Sequence, residues 1–278
     1  MTVEGPAPYQ CVQSPVAIDG RPGGGIGRRA GFRYLWPQGR GSSSLLLGTN
    51  FKSLALRDLP RAVKPETCEI ELHTGDLPAG IHFGAEVAVD TETMGLAPHR
   101  DRLCLVQLSG GDGVCHIVQF PSASALPFAA PNLRALLTDA TVVKLFHFAR
   151  FDLAVLLKYL GVMCAPNYCT KIASHLVRTY TDRHGLKDLC RELLGIELSK
   201  EQQSSDWGAA ALTADQLDYA ARDVLYLHRL RRKLDEMLQR ENRRELADAC
   251  FAFLPHRARL DLAGWADEDI FAHQVRRV

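Results

Sequence analysis

The chain has 278 residues, of which 46% are hydrophobic and 23% charged, a composition typical of a soluble globular protein. Its formal net charge of +1 excludes both a strongly basic nucleic-acid coat protein and a protein dominated by an acidic tail. The near-neutral total hides two unlike parts. Residues 1–67 carry nine basic and four acidic side chains, whereas the remaining residues carry 24 and 28.

The first part of the chain is rich in glycine and proline. Its first 50 residues contain ten of the 22 glycines and five of the 14 prolines. Such a stretch buries too little apolar surface to offset the entropy lost on ordering. We therefore predict a mostly disordered extension over residues 1–66. Its arginines fit a nucleic-acid-binding arm or a targeting segment, but we favour a dispensable extension.

Cysteines and apolar runs indicate the compartment. The eight cysteines make up under 3% of the chain and form no C-x-x-C pair, which favours free thiols in a reducing compartment. No apolar run approaches the roughly 18 residues of a membrane span, and no signal-peptide pattern follows the first residue. The sequence therefore predicts a cytoplasmic protein that does not associate with a membrane.

From residue 68 onward the pattern alternates between strands and helices. Strands are predicted at residues 86–90, 103–108, 114–118 and 141–146, and a glycine-rich turn at 110–113 predicts an antiparallel hairpin. Helices are predicted at residues 131–137, 151–160, 171–180 and 186–194. A long helix is predicted from a capping box at Thr213 and Gln216 to about residue 240.

This order of elements predicts an α/β fold with a mixed sheet. We expect one domain over residues 67–278, with its core at about 68–240 and a C-terminal helical segment at 241–278.

Two acids end the first predicted strand, in the sequence Asp90-Thr91-Glu92. Because side chains alternate along a strand, Asp90 and Glu92 point to the same face. Two same-facing carboxylates after an apolar run are costly to bury unless a cation neutralises them, and hard divalent cations prefer oxygen ligands. Taken alone, the pair also fits acids that face solvent.

Two further acids occupy positions that suit the same site. Asp152 lies between a buried strand and an apolar helix, where the helix dipole alone would also favour it. Tyr219 and Asp223 are four residues apart, so they share the inward face of the long helix. A buried hydrogen bond between the tyrosine and the aspartate is the simpler alternative.

These pieces, in this order, resemble the DEDD exonuclease superfamily. The tyrosine four residues before the last aspartate resembles its Tyr-bearing, ribonuclease D-like branch, as do His-Gly-Leu-Lys-Asp-Leu at 184–189 and Ser-Asp-Trp at 205–207. The resemblance implies a ribonuclease H-like mixed sheet flanked by helices. Only some 40 residues follow the long helix, too few for the helical modules of ribonuclease D. The chain therefore looks most similar to the compact nanoRNase C family of oligoribonucleases, which implies a ring-like homo-oligomer, an octamer.

The resemblance also implies a mechanism. Asp90, Glu92 and Asp223 would hold one divalent ion, Asp90 would bridge to a second, and Asp152 would support the site directly or through water. Tyr219 would orient the attacking water, and Mg²⁺ or Mn²⁺ suits an all-oxygen site. We expect 3′→5′ hydrolysis of short single-stranded RNA, down to dinucleotides. The alternatives are an exonuclease acting on DNA ends or structured RNA 3′ ends, and an inactive nucleic-acid-binding module.

Substrate contacts are predicted at three places. The loop after Glu92 could recognise the RNA end, with a leucine wedged against a base; a leucine covering the core is the alternative. His147 could contact the substrate, or it could be a core histidine whose hydrogen bonds are made within the protein. The basic cluster of Arg183, His184 and Lys187 could bind a 5′-phosphate, or it could be part of a solvated loop. The residues concerned are Thr93, Met94, Gly95, Leu96, His147, Arg183, His184 and Lys187. Arg150 is predicted to contact phosphate or to form an internal salt bridge with Asp152.

Overall fold

A computed structural model describes residues 68–273, apart from residues 123, 125 and 199–204. The predicted extension at 1–66 lies outside the described residues, and the C-terminal segment is described only as far as residue 273. The described residues form a six-stranded mixed sheet flanked by helices, which confirms the predicted α/β class.

The sheet has the strand order β1-β4-β3-β2-β5-β6. Its strands are β1 (Glu69–Thr74), β2 (Glu86–Thr93), β3 (Leu103–Ser109), β4 (Val114–Gln119), β5 (Val143–Phe146) and β6 (Asn167–Cys169). Strand β3 pairs antiparallel with both β2 and β4, while the other three pairings are parallel. The β3–β4 pairing is the hairpin that the glycine-rich turn predicts. Strands β1 and β6 were not predicted.

The core is centred on the middle strands. All seven residues of β3 are buried, and Val87–Val89 of β2 are fully buried. Lys144 of β5 is also fully buried, and its ammonium group donates to the carbonyl oxygens of Asp139, Val142 and Ala165 at 2.5, 2.8 and 3.1 Å. A buried cation is tolerated here because all three of its donors have acceptors.

The helices are α1 (Pro131–Thr138), α2 (Ala149–Leu160), α3 (Thr170–Val177), α4 (Leu186–Leu189), α5 (Ala214–Leu225), α6 (Leu227–Arg240) and α7 (Arg244–Leu260). Single π-helical turns extend α4 at Cys190–Leu194 and α7 at Asp261–Trp265. Helix α2 ends at Gly161, which adopts the left-handed backbone with φ of 67°, as its glycine predicts. Within the described part of the chain, no helix is long and apolar enough to cross a lipid bilayer.

The prediction of one long helix running to about residue 240 is wrong, because two helices, α5 and α6, occupy this stretch. The chain breaks it at the buried Tyr226, whose φ and ψ of −102° and −4° separate α5 from α6. The break lets the two halves pack on different partners. Helix α5 lies on strands β1 to β4, while α6 packs mainly against α3. Helical spacing continues through the break, so periodicity alone does not reveal it.

The C-terminal segment is tied back to α2 by an ion pair. The guanidinium of Arg150 donates to the two carboxylate oxygens of Asp261 at 2.5 and 2.8 Å. Such a bidentate contact fixes the orientation of the two side chains as well as the distance between them. Arg150 therefore forms an internal salt bridge, but with Asp261 instead of the predicted Asp152.

Candidate metal centre

The first two acids of the centre stand at the end of β2. Asp90 is paired with Gln107 of β3 and Glu92 with Leu105, so both side chains project from one face of the sheet. A register shift between Glu92 and Thr93 ends the regular pairing there. Irregularities of this kind bend a strand and re-aim its side chains. The end of β2 thus places the carboxylates of Asp90 and Glu92 side by side at the edge of the core.

The third acid comes from α5, whose start is firmly held. The backbone N–H of Gln216 donates to Thr213 Oγ1 at 3.2 Å, and the N–H of Thr213 donates to Gln216 Oε1 at 2.9 Å, which is the predicted capping box. Gln216 also donates to the carbonyl of Asp206 at 3.2 Å. The anchored helix brings Asp223 to β2.

One carboxylate oxygen from each of Asp90, Glu92 and Asp223 lies within 4.8 Å of the others. Burial raises the pKa of Asp90 to about 7. Burial also raises that of Glu92 to about 10, with the charges of Asp90 and Asp223 adding to the effect. Three partly buried carboxylates so close together repel one another when ionised. The set is made of oxygen donors only, so it fits a hard divalent cation.

Asp152 lies next to this group, in the first turn of α2. Its Oδ1 accepts a hydrogen bond from Thr91 Oγ1 at 2.7 Å, and both side chains are buried. Burial, and then the charge of Asp90, raises the pKa of Asp152 well above its usual range. Asp152 is therefore close to the centre electrostatically but outside the three acids whose oxygens converge. Its role as a ligand stays a prediction.

Tyr219 lies one helical turn before Asp223 on the same face of α5. Its ring lies against Trp207, with the centroids 6.0 Å apart. Burial, and then the charges of Asp223 and Glu92, raises the pKa of its phenol above the usual range. The phenol is therefore protonated at neutral pH, which suits a hydrogen-bond donor that orients water better than a general base.

A cavity of about 320 Å³ opens beside the acids. It is lined by Asp90, His147, Phe148, Lys171, Gly185, Leu186, Lys187, Asp188, Leu198, Tyr219 and Asp223. His147 Nδ1 lies 2.9 Å from Thr170 Oγ1, and burial lowers the pKa of His147 to about 3. His147 is therefore hydrogen-bonded within the protein and also lines the cavity as a neutral ring, and its contact with substrate stays a prediction.

The predicted end-recognition loop lies beside this cavity instead of lining it. Leu96 is 89% exposed and borders a second cavity of about 240 Å³, so it does not cover the core. Thr93 Oγ1 donates to the carbonyl of Gly95, and a Cβ at Gly95 would collide with the Asp101 carboxylate. The loop is thus held in shape from within. Met94 is half exposed, and its sulfur lies close to Gly208.

The predicted basic cluster is not brought together at the cavity. Lys187 lines it, whereas Arg183 is exposed and is not among the lining residues. His184 is only 6% exposed, with its Nδ1 2.8 Å from Ser174 Oγ and its ring against that of His175. Burying an imidazole between a hydroxyl and a second ring satisfies it locally, so His184 is not available on the surface.

Six of the residues that line the cavity were not among the predicted site residues, namely Phe148, Lys171, Gly185, Leu186, Asp188 and Leu198. Phe148 adopts a left-handed backbone with φ of 69° at the start of α2, and the ammonium of Lys171 lies 4.4 Å from the centre of its ring. Phe148 borders both cavities. Phe148 follows the predicted His147 directly and stands four residues before Asp152, a signal that could have found it. Lys171 gives no such signal, because it stands in the first turn of α3 and lines the cavity only through the way that helix packs.

Comparison with known proteins places these features in a family. A model of the 3′–5′ exonuclease family matches residues 71–239. The chain is 55% identical to a solved structure of Brucella melitensis NrnC bound to pGG, covering 74% of this chain and 100% of that chain with a TM-score of 0.71. A second structure, NrnC with bound Mg²⁺, is 54% identical, with 74% and 100% covered and a TM-score of 0.70.

Curated relatives match over a shorter part of their length. Ribonuclease D of Gluconacetobacter diazotrophicus is 38% identical over 157 residues, which are 56% of this chain. The match spans 39% of that relative's own length.

Proposed function

The chain belongs to the 3′–5′ exonuclease family, in its ribonuclease D-like branch, and on that premise we propose that it is a metal-dependent 3′–5′ exoribonuclease that prefers short oligoribonucleotides. The observation that carries the proposal is the convergence of Asp90, Glu92 and Asp223 beside a cavity that Tyr219 also lines. The full coverage of NrnC at 55% identity supports the assignment of reaction type.

The size and charge of the site support a short substrate. The cavity beside the acids has a volume of about 320 Å³, which suits the terminal nucleotide of a substrate. A protein that grips long RNA needs a track of basic groups along the phosphates. Residues 68–278 carry a net charge of −4, and the lysines that line the cavity are Lys171 and Lys187. The pGG bound by NrnC supports the same substrate class.

Each residue has a separate part in the proposed reaction. Asp90, Glu92 and Asp223 would hold Mg²⁺ or Mn²⁺, and Asp152 would complete the charge needed for a second ion, since four carboxylates balance two divalent cations. Bound divalent cations supply Lewis acidity that stabilises charge on phosphate oxygens. The phenol of Tyr219 would donate a hydrogen bond that orients the attacking water.

We further propose a cytoplasmic homo-oligomer, ring-like and octameric as the family resemblance implies. The seven described cysteines are free, which supports a reducing compartment. Self-association is supported by large apolar side chains left exposed near the C-terminal end, at Phe253, Trp265, Ile270 and Phe271. Light scattering tests the assembly, and a monomer at working concentration would contradict it.

The substrate is tested with 5′-labelled RNAs of two, seven and about 20 nucleotides and with matching DNAs, in the presence of Mg²⁺ or Mn²⁺. We expect the dinucleotide RNA to be cleaved with the highest kcat/KM. An equal or higher kcat/KM for the longest RNA would favour an enzyme that processes RNA 3′ ends. A preference for DNA would favour an exonuclease that acts on DNA ends. Activity that survives Asp90→Ala would overturn the assigned metal centre, and the absence of any activity would favour a binding module.

A further inference from the structure

A second group of metal-ligating side chains lies at the edge of the sheet, on β1 and β4. His73 Nε2 is 3.1 Å from His116 Nδ1, and Glu71 Oε2 is 3.2 Å from His116 Nδ1 and 3.7 Å from His73 Nε2. The two rings are stacked with their centroids 5.4 Å apart. Three potential ligand atoms therefore converge on one point.

Strand register places this group away from the catalytic centre. Asp90 is opposite Gln107, and Gln107 is opposite Ile117, so these three side chains share one face of the sheet. His116 precedes Ile117 and projects from the other face, together with its register partner Glu71. Strand β4 is two strands from β2, a separation of about 10 Å. The two groups cannot share one ion.

The spacing of the three atoms suits zinc. With ligands at about 2.0–2.2 Å, the edge of a tetrahedral zinc site is about 3.4 Å, close to the three distances observed. Two imidazole nitrogens and one carboxylate oxygen are ligands that zinc accepts, and they leave one position open. Mg²⁺ would be a poor fit, because it prefers oxygen ligands in octahedral geometry.

The surroundings favour binding. The side chains of His73 and His116 are 13% and 12% exposed, so they are held in place, while that of Glu71 is 46% exposed and leaves a path for an ion. Phe83 packs edge-on against the ring of His116.

We propose that Glu71, His73 and His116 bind one zinc ion that fastens the edge strand β1 to β4. Strand β1 has β4 as its neighbour in the sheet and exposes much of its length to solvent. An ion held by both strands would join them through side chains in addition to their backbone hydrogen bonds. The site is separate from the proposed exonuclease function and does not depend on it.

The test measures zinc binding to the full-length protein carrying Asp90→Asn and Asp223→Asn, which removes the competing catalytic centre, with Mg²⁺ in excess. Calorimetry with Zn²⁺ as the titrant should find one ion bound per chain. Adding His73→Gln and His116→Gln should weaken binding at least 100-fold, and Glu71→Gln should weaken it less. His99→Gln, an exposed histidine outside the group, serves as the matched control and should leave the affinity unchanged.

A second measurement needs no substitution in the group and so remains valid if the double variant fails to fold. Zn²⁺ should protect His73 and His116 from diethyl pyrocarbonate, read by mass spectrometry, while His99 reacts at the same rate with and without the ion. Equal modification of His73 and His116 with and without Zn²⁺ would overturn the proposal. So would a zinc affinity that is the same in the folded double variant as in its parent, because the two histidines would then be a hydrogen-bonded pair only.

Discussion

Thr91 offers a direct test of how Asp152 is linked to the metal centre. Thr91 stands between Asp90 and Glu92 in the chain but points to the opposite face of the sheet, where its hydroxyl donates to Asp152 at 2.7 Å. Both side chains are buried, at 6% and 3% exposure. Thr91→Val removes the donor and keeps the branched shape. The substitution therefore changes the hydrogen bond more than the packing.

The cost of Thr91→Val should depend on metal. Without metal, the raised pKa of Asp152 favours a neutral carboxyl group, and a hydrogen bond to a neutral group contributes about 0.5–1.5 kcal/mol. A bound cation favours the ionised form, and a hydrogen bond to a charged group contributes about 1.5–3 kcal/mol. We therefore expect a loss of about 1 kcal/mol without metal and about 2 kcal/mol with it. The difference corresponds to roughly fivefold weaker Mg²⁺ binding.

The assay is urea unfolding in EDTA and in saturating Mg²⁺, with Mg²⁺ affinity measured by calorimetry. Thr141→Val is the matched control, because Thr141 donates to Asp139 at the same 2.7 Å but on the surface. It should cost less than about 0.5 kcal/mol, independent of Mg²⁺. If Thr91→Val lowers the free energy of unfolding equally with and without Mg²⁺, the reasoning that couples Asp152 to the metal is refuted.

Three other predictions concern the centre and the core. Tyr219→Phe should lower kcat roughly 10- to 100-fold with KM within about twofold, in steady-state assays on a dinucleotide; an unchanged kcat would remove its orienting role. Because burial raises the folded-state pKa of Asp90 to about 7 and of Glu92 to about 10, metal-free stability should fall as pH rises through these values. Mg²⁺ should therefore raise the Tm more at about pH 9 than at pH 6 in thermal melts, and equal shifts would contradict the carboxylate repulsion. Lys144→Met should cost about 2 kcal/mol in urea unfolding, because three buried carbonyl oxygens lose their donor; a more stable variant would show that burial of the ammonium costs more than its hydrogen bonds return.

Much of the fold was predictable because its central elements are buried on both sides. Strands β2 to β5 and helix α2 read as apolar runs, and Gly161 marks a helix end. Strand β1 has no such signal, since Glu69, Glu71 and His73 line one face of an edge strand. Strand β6 has only three residues, too few to show a pattern in the sequence. It is recognised as a strand by its pairing with β5.

The acids of the site were predictable because local periodicity sets which way they point. Spacing of two in a strand and of four in a helix brings Asp90 with Glu92, and Tyr219 with Asp223, onto common faces. The walls of the cavity depend on contacts between distant elements, which local spacing does not encode. The burial of His184 against Ser174 is of this kind, because it depends on how α3 meets the following loop.

The converging acids also bear on the order in which the chain assembles. Asp90 and Glu92 belong to β2 and Asp223 to α5, so about 130 residues of chain must close before all three can meet. A divalent ion held by these three acids would therefore gain all of them as ligands only after the helix has docked on the sheet. Interactions that form after the folding barrier slow unfolding and leave the folding rate nearly unchanged. Metal would thus prolong the lifetime of the folded chain without directing the route by which it forms.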